Sequence, residues 1–463
     1  MHSLPTRLKH PLPHGTSLKV RPNTVYIVGG SVRDLLLGRS PIDYDLAVAV
    51  NPEGFAQRLA SRTKGRLVIL GKPGLKLYRV VTPSYVFDVS KMAGPSIQND
   101  LMRRDFTINA MAADAANGEI IDAFNGRKDL IAGRVHMVSE AAFRQDPVRL
   151  IRAFRMAASL DFRLSTQTAQ AIQTQVSLIA NSAGERVWSE LLKILEARRS
   201  VRFIRQMAAC GLLETILPEV TGSCCQPPSY QPSDTFNHIL DAFSELETHL
   251  LDSSAMIAPA MAAGTLSKTL IPKGLLKFAL FLKDFAGSPL ANQGDEVSSQ
   301  NGPADHLRRR FKMSNKQANY IDFIIQHYQM PLSLFNAFQK RQLPDTVVTR
   351  LFMSSGDKLP DLLLYAKAII TADSNNRYDR SKKFSIFAQD LLNRFYSVFL
   401  PRSNAPPLIT GKDLISYFNM SPSPAFRFLL DRVETDRLTG RIQTKGEALD
   451  LVDHLLQDRL IKI

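Results

Sequence analysis

Three aspartates in the first hundred residues have the type and spacing for metal chemistry. Asp43 and Asp45 are separated by one residue and precede the apolar run 46–48, and Asp88 lies inside a second apolar run. Alternate side chains of a strand point to one face, so Asp43 and Asp45 would repel each other unless a cation neutralised them. Mg²⁺ prefers such oxygen ligands. The pattern predicts that Asp43 and Asp45 bind Mg²⁺ and that Asp88 completes a phosphoryl-transfer centre; the alternative is a solvated strand edge.

A glycine turn precedes these aspartates. Gly29 and Gly30 follow the β-rich run 25–28, and a helix is predicted to begin near Ser31. A strand, a glycine turn and a helix N-terminus present backbone N–H groups to an anion, and a triphosphate fits such a turn. Because Gly-Gly turns are common, an ordinary tight turn is the alternative interpretation.

The elements that must position these residues form a small domain at the start of the chain. Four β-rich runs, at 25–28, 67–70, 77–81 and 85–89, alternate with helical stretches and glycine turns. From Asp146 onward apolar residues recur at helical spacing and strand signals nearly vanish. We therefore predict an α+β protein, in which a small mixed sheet with helices is followed by an all-α remainder.

Composition limits the classes of function. The chain has 58 Lys+Arg against 43 Asp+Glu, a formal net charge of +15, which indicates a polyanionic partner. It has no run of about 18 apolar residues, and residues 1–23 lack the apolar core of a signal peptide. The three cysteines, Cys210, Cys224 and Cys225, form neither a disulfide framework nor a zinc pattern. We expect a cytoplasmic protein that is neither secreted nor inserted in a membrane.

Ordered motifs over residues 25–200 resemble a known family. The glycine turn, the aspartate pair and the lone aspartate occur in this order in the nucleotidyltransferase superfamily that includes DNA polymerase β. The later motifs are similar to those of class II tRNA nucleotidyltransferases and bacterial poly(A) polymerases: RRDFTINAM at 103–111, GRKDL at 126–130, DPVR at 146–149 with Arg152 and Arg155, and Glu185, Arg186, Glu190 and Lys193.

The resemblance implies a fold and a domain order. A polymerase β-like nucleotidyltransferase head would be followed by an all-α neck, body and tail. The implied segments are an N-terminal extension (1–23), the catalytic head (24–140), a helical neck and RNA/nucleotide-binding domain (141–222), a degenerate HD-like helical domain (223–330) and a C-terminal helical body and tail (331–463). Breaks rich in Pro, Ser and Gly at 221–234, 289–304 and 401–407 divide the helical part.

The HD-like segment departs from an active phosphohydrolase. His238 precedes a predicted amphipathic helix, and Lys283 with Asp284 stands where a phosphohydrolase needs an adjacent His and Asp as metal ligands. Because an ammonium group cannot bind a metal cation, we predict that this segment is structural or binds RNA.

The resemblance also implies an activity. The chain would be a nucleotidyltransferase that adds C and/or A residues to the tRNA 3′ terminus from CTP and ATP, by two-metal transfer without a nucleic-acid template. Asp88 would position or deprotonate the attacking hydroxyl, and Asp105 would accept a hydrogen bond from the ribose 2′-OH. The implied nucleotide-binding residues are Gly29, Gly30, Arg33, Arg104, Asp105, Asn109, Asp146, Arg149, Arg152 and Arg155.

Base choice can be argued from Asp146 and Arg149, which are three residues apart and would share one face of a predicted helix. The carboxylate accepts and the guanidinium donates. Cytosine and adenine offer an amino donor beside a ring acceptor and fit this pair, whereas uracil and guanine present the reverse order. Arg152 and Arg155 follow at three-residue steps and would reach the triphosphate or form an exposed helix stripe.

Two departures from the family pattern bear on the product. Gln145 stands where most relatives have Glu, so base selection is expected to be looser or differently tuned. Residues 89–102 leave little room for the mobile loop with which CCA-adding relatives switch from C to A, as in enzymes that add only CC. The alternatives are therefore a CC-adding enzyme, a poly(A) polymerase, and an inactive RNA-binding protein, against which the three intact aspartates argue.

Overall fold

The computed structural model describes residues 4–13, 16, 18–71, 76–218, 232–251, 273–283, 305–373 and 377–457. Asp284, Cys224, Cys225, the break at 289–304 and most of the break at 221–234 lie outside these residues. The chain divides into two compact units, one of residues 1–221 with 310–312 and one of residues 222–309 with 313–463.

The first unit contains a seven-stranded sheet. Its strands are β1 (Val25–Val28), β2 (Asp43–Val48), β3 (Arg66–Leu70), β4 (Leu77–Val81), β5 (Val86–Lys91), β6 (Ala112–Asp114) and β7 (Ile120–Ile121). Their order is β3-β4-β5-β2-β1-β6-β7; β2 and β5 are parallel, and the other neighbours are antiparallel. All four residues of β1 are buried, as expected for an apolar strand covered on both faces.

Helices follow the strands and then dominate the first unit. They are α1 (Gly30–Leu36), α2 (Pro52–Thr63), α3 (Ile97–Met102), α4 (Gly126–Ile131), α5 (Ala141–Gln145), α6 (Val148–Leu160), α7 (Thr166–Gln175), α8 (Gly184–Glu196), α9 (Val201–Ala209) and α10 (Leu212–Ile216), with short 3₁₀ helices at Thr107–Asn109 and Val176–Asn181. Two short strands, β8 (Arg134–Val135) and β9 (Arg163–Leu164), pair in parallel. The predicted all-α neck therefore contains one two-residue strand.

Helix α3 anchors the segment that carries Arg104 and Asp105. The Ser96 side chain accepts a hydrogen bond from the Asn99 N–H and begins the helix. Ile97 and Leu101 are buried in an apolar cluster that includes residues of β1, β2 and β6. This packing fixes the end of α3 against the sheet.

The second unit is helical throughout its described part. The described helices from residue 232 onward are α11 (Pro232–Leu251), α12 (Lys273–Phe281), α13 (Asp305–Phe311), α14 (Asn315–His327), α15 (Gln329–Gln339), α16 (Asp345–Ser355), α17 (Leu359–Ala372), α18 (Arg377–Arg394), α19 (Leu400–Ser403), α20 (Gly411–Phe418), α21 (Pro424–Thr439) and α22 (Lys445–Gln457), with a 3₁₀ turn at Gly356–Lys358 and a π-helical turn at Phe395–Phe399. Helices α20 to α22 share a core that includes Leu414, Leu429 and Val452. None of the described helices has the length and apolar character needed to cross a membrane.

The predicted α+β architecture is confirmed, and two local predictions are wrong. The break predicted at 401–407 begins only after Ser403, because Pro401 lies in the first turn of α19, where a missing N–H costs nothing. His238 lies inside α11 rather than before it, and its Nε2 contacts Oδ1 of Asp373. The domain boundaries remain predictions.

Candidate active site

The carboxylates of the site lie in one row across three strands. Asp45 of β2 is directly opposite Asp88 of β5, and Asp88 is directly opposite Arg79 of β4. Asp43 and Asp45 are exposed while Tyr44 between them is buried, so the two aspartates share the open face of β2. The structure thus brings Asp43, Asp45 and Asp88 to one surface of the sheet.

The glycine turn is tied to the same strand. The Ser31 hydroxyl accepts a hydrogen bond from the Asp45 N–H and donates one to the Asp43 carbonyl, each 3.1 Å long. Gly29 has a φ of 73°, which glycine adopts readily. A Cβ atom on Gly29 would lie 2.7 Å from Nη1 of Arg104 and 3.4 Å from Oδ2 of Asp45. The turn therefore favours glycine for its backbone angle, and the guanidinium of Arg104 approaches it closely.

The ionised form of Asp45 is disfavoured, mainly because the protein shields its carboxylate from water. Partial removal of water from the carboxylate raises the pKa of Asp45. The positive charge of Arg104 lowers this pKa, the negative charges of Asp88 and Asp43 raise it, and Arg79 lowers it slightly. Arg104 is also held by Asp100, at 3.0 Å. A carboxylate whose ionised form is disfavoured in this way would be stabilised by a bound cation.

Asp43 and Asp45 are suited to Mg²⁺. This ion often takes only one or two carboxylates from the protein and completes its shell with water and substrate phosphates. Asp88 directs both carboxylate oxygens to Arg79, with each hydrogen bond 2.7 Å long. Within the described ranges no group of three or more His, Cys, Asp or Glu side chains is arranged to hold a metal. The fit of this site to Mg²⁺ therefore rests on Asp43 and Asp45 of β2.

Four of the predicted nucleotide-binding residues form a connected polar chain. Arg33 donates to Oδ1 of Asn109 at 2.7 Å, and the Asn109 amide donates to Oδ1 of Asp105 at 3.1 Å. The other Asp105 oxygen lies 3.5 Å from Nη1 of Arg152. This series of polar contacts joins α1 to α6 beside the glycine turn.

Arg152 and one further predicted residue, Arg155, contact a carboxylate that the sequence analysis did not place in the site. Glu190 of α8 forms ion pairs with Arg152 at 3.2 Å and Arg155 at 2.7 Å, and it is buried. Arg152 and Arg155 are therefore not an exposed helix stripe, because both side chains turn towards α8.

The predicted placement of Asp146 and Arg149 on one helix is wrong. Asp146 has an extended backbone (φ −147°, ψ 94°) in the break between α5 and α6, because Pro147 disfavours helical geometry in the preceding residue. Its oxygens accept hydrogen bonds of 3.1 and 2.8 Å from Arg186, and the Arg149 guanidinium donates to the carbonyls of Ala142 and Arg103. Burial opposes ionisation, but the hydrogen bonds and charge of Arg186 prevail and lower the pKa of Asp146.

The sequence analysis missed Arg79, although one signal was available. Arg79 is the only charged residue of β4 and stands between apolar neighbours, at the alternate spacing that points a strand side chain to one face. Arg186 and Glu190 were noted as part of a motif but given no contact. Their partners are 35 to 40 residues away in sequence, so no local pattern identifies them.

Comparison with known proteins finds two matching family models and relatives that align with most of the chain. The poly(A) polymerase head domain matches residues 25–136, and the probable RNA- and SrmB-binding site of polymerase A matches residues 161–224. A CC-adding tRNA nucleotidyltransferase of Synechocystis sp. is 29% identical, covering 95% of both chains. An A-adding tRNA nucleotidyltransferase of Deinococcus radiodurans is 28% identical, covering 93% of this chain and 95% of its own.

A solved structure shares the fold over most of the chain. The Thermotoga maritima CCA-adding enzyme complexed with tRNA superposes with a TM-score of 0.63 at 22% identity, covering 94% of this chain and 91% of its own. The family matches, the full-length relatives and the ordered motifs agree with one another. The chain therefore has the head domain and the RNA-binding region of the poly(A) polymerase family and is an enzyme of the tRNA nucleotidyltransferase type, similar over most of its length to CC-adding and A-adding relatives.

Proposed function

We propose that this enzyme adds C and/or A residues to the 3′ terminus of tRNA, using CTP and ATP and no nucleic-acid template. The observation that carries the proposal is the position of Asp45 directly opposite Asp88, next to the turn at Gly29. Nucleotide addition needs carboxylates at the reacting hydroxyl and N–H groups at the triphosphate, and this part of the sheet supplies both.

Each group has a distinct task. Asp43 and Asp45 hold Mg²⁺, which when bound supplies charge neutralisation for the triphosphate and acidifies the attacking hydroxyl. Asp88 positions that hydroxyl. The turn at Gly29 and Gly30 contacts the phosphates. Asp105 keeps one oxygen only loosely paired, at 3.5 Å from Arg152, so it can accept from a ribose 2′-OH.

Asp146 and Arg149 select the base, although they do not share a face of one helix. Asp146 lies just before α6 and Arg149 lies in its first turn, where its N–H donates to the Asp146 carbonyl at 3.0 Å. An incoming base competes with Arg186 for Asp146 and with two backbone carbonyls for Arg149. The carboxylate then accepts from the amino group of cytosine or adenine, and the guanidinium donates to the ring nitrogen.

A CC product is the second candidate. Strand β5 ends at Lys91 and α3 begins at Ile97, so residues 92–96 are the whole connection between them. The Ala93 N–H donates to the Asp100 carboxylate at 3.0 Å, which ties this connection to α3. A connection this short and anchored favours an enzyme that stops after the second cytidine.

The test uses three tRNA transcripts that lack the whole CCA end, its last two nucleotides or only the final adenosine. Each is incubated with Mg²⁺ and one NTP at a time, and products are resolved to single nucleotides. CTP should extend the first two transcripts, and UTP and GTP should extend none. Extension of the third by ATP separates CCA from CC addition. Long adenosine tails on any transcript would identify a poly(A) polymerase, and no extension would contradict the proposed activity.

Arg149→Ala should reduce base discrimination as well as rate. Asp146 can still accept from an amino group, but nothing donates to the ring nitrogen. A hydrogen bond to a charged group contributes about 1.5 to 3 kcal/mol, so the preference for CTP over UTP should fall by about ten- to a hundredfold. Single-turnover incorporation of both nucleotides measures this ratio. Arg144→Ala, which removes an exposed charge from α5, is the matched control. An unchanged ratio in Arg149→Ala would assign base choice elsewhere.

A further inference from the structure

Arg79 of β4 is a cation within the row of carboxylates, and it lies outside the family motifs of the sequence. Its Nε donates to one oxygen of Asp88 and its Nη2 to the other, each at 2.7 Å. The pairing is antiparallel and in register, so the two side chains project from the same face of the sheet. A bidentate contact of this kind fixes both the position and the plane of the carboxylate.

The Arg79–Asp88 ion pair is too exposed to contribute much to the stability of the fold. The Arg79 side chain is 42% exposed and that of Asp88 is 21% exposed. Half-exposed ion pairs contribute little to folding. Asp88 strengthens the hold of Arg79 on its proton and raises the pKa of the guanidinium, with smaller effects from Asp43 and Asp45. The charge of Arg79 therefore interacts with all three carboxylates of the row, and not only with that of Asp88.

The two arginines near Asp43 and Asp45 are held by different partners. Arg104 is anchored to Asp100 on α3 and approaches Asp45 from the glycine turn. Arg79 approaches from the opposite side, through Asp88. A carboxylate has about four lone-pair sites, and the guanidinium fork uses two of them. The remaining sites of Asp88 stay available to accept a hydrogen bond.

We propose that Arg79 is a positioning residue that holds the Asp88 carboxylate in the orientation that receives the RNA 3′ hydroxyl, and that its charge moderates cation binding at Asp43 and Asp45 in the free enzyme. The inference rests on the proposed function and assigns one more residue to the same site. It predicts two effects of opposite direction when Arg79 loses its charge. Catalysis becomes slower, because Asp88 is no longer oriented. Metal binding becomes tighter, because a repelling charge is gone.

The experiment compares Arg79→Gln and Arg79→Lys with the parent. Because Asp88 is no longer oriented, kcat should fall by about ten- to a hundredfold in both variants, and KM for CTP should stay nearly unchanged. Lysine cannot reproduce the bidentate contact, so it should not restore the rate. Mn²⁺ binding to the free enzyme is measured by electron paramagnetic resonance. Arg79→Gln should bind Mn²⁺ about three- to tenfold more tightly, whereas Arg79→Lys keeps the parent affinity.

Arg66→Gln is the matched control. It removes one exposed arginine from β3, the strand next to β4, and should leave both measurements unchanged. The proposal is overturned if kcat of Arg79→Gln stays within threefold of the parent, or if its rate and its Mn²⁺ affinity fall together, which is the signature of a distorted site. If the parent fails to extend tRNA, the proposed function fails, and the Mn²⁺ measurement alone decides whether Arg79 acts on the carboxylates.

Discussion

Asp45→Ala is expected to abolish nucleotide transfer, with a loss of at least about a thousandfold at any Mg²⁺ concentration. Asp45 is one of the two carboxylates that fit the metal, and its backbone N–H donates to the Ser31 hydroxyl. Removing it deletes a ligand that excess Mg²⁺ cannot replace. Affinity for tRNA should stay within a few-fold, because one carboxylate of the head contributes little to binding a polyanion.

A second measurement separates this loss from misfolding. The folded protein raises the pKa of Asp45, so its ionised form is disfavoured, and this penalty is present above the folded pKa and absent at low pH. Asp45→Ala should therefore unfold at neutral pH at the same temperature as the parent or a higher one. Glu119→Ala, which removes an exposed carboxylate of the same unit, should keep full activity. Turnover of Asp45→Ala within tenfold of the parent would disprove the metal assignment.

Lys277→Met should have the largest effect on stability, in the second unit. Lys277 and Glu247 are 2% and 5% exposed, and Nζ of Lys277 lies 2.7 Å from Oε1 of Glu247. The ammonium also lies 5.7 Å from the centre of the Phe243 ring. Burial lowers the pKa of Lys277, and Glu247 opposes the shift. Lys277→Met breaks this buried ion pair from one side, and breaking a buried pair typically costs about 3 to 5 kcal/mol.

The double variant Lys277→Met with Glu247→Leu removes both charges and should recover most of this loss, because well-packed apolar residues often replace a buried pair without cost. Urea unfolding is followed by far-ultraviolet circular dichroism, since the single tryptophan, Trp188, belongs to the first unit. Lys382→Met, an exposed change in the same unit, is the control. If the single and double variants unfold at the same urea concentration, the pair does not act as a unit.

The local elements were predictable because their information is contained in a few consecutive residues. The run 25–28 is a strand with those bounds, and 77–81 is another. The alternation of Asp43, Tyr44 and Asp45 places the two carboxylates on one face by the geometry of any strand. The extended backbone of Asp146 also has a local signal, since Pro147 favours an extended residue before it, although the three-residue spacing to Arg149 is typical of a helix.

The partners of the charged groups were decided by the tertiary structure. Arg79 meets Asp88 because β4 and β5 pair in one register, and a shift of one residue would turn Arg79 to the other face. Arg186 meets Asp146, and Glu190 meets Arg152 and Arg155, because α8 packs against α6. The sequence by itself determined the alternation that places Asp43 and Asp45 on one face of a strand. Which charges neutralise one another depends on the packing of segments far apart in the chain, and spacing along the sequence does not record it.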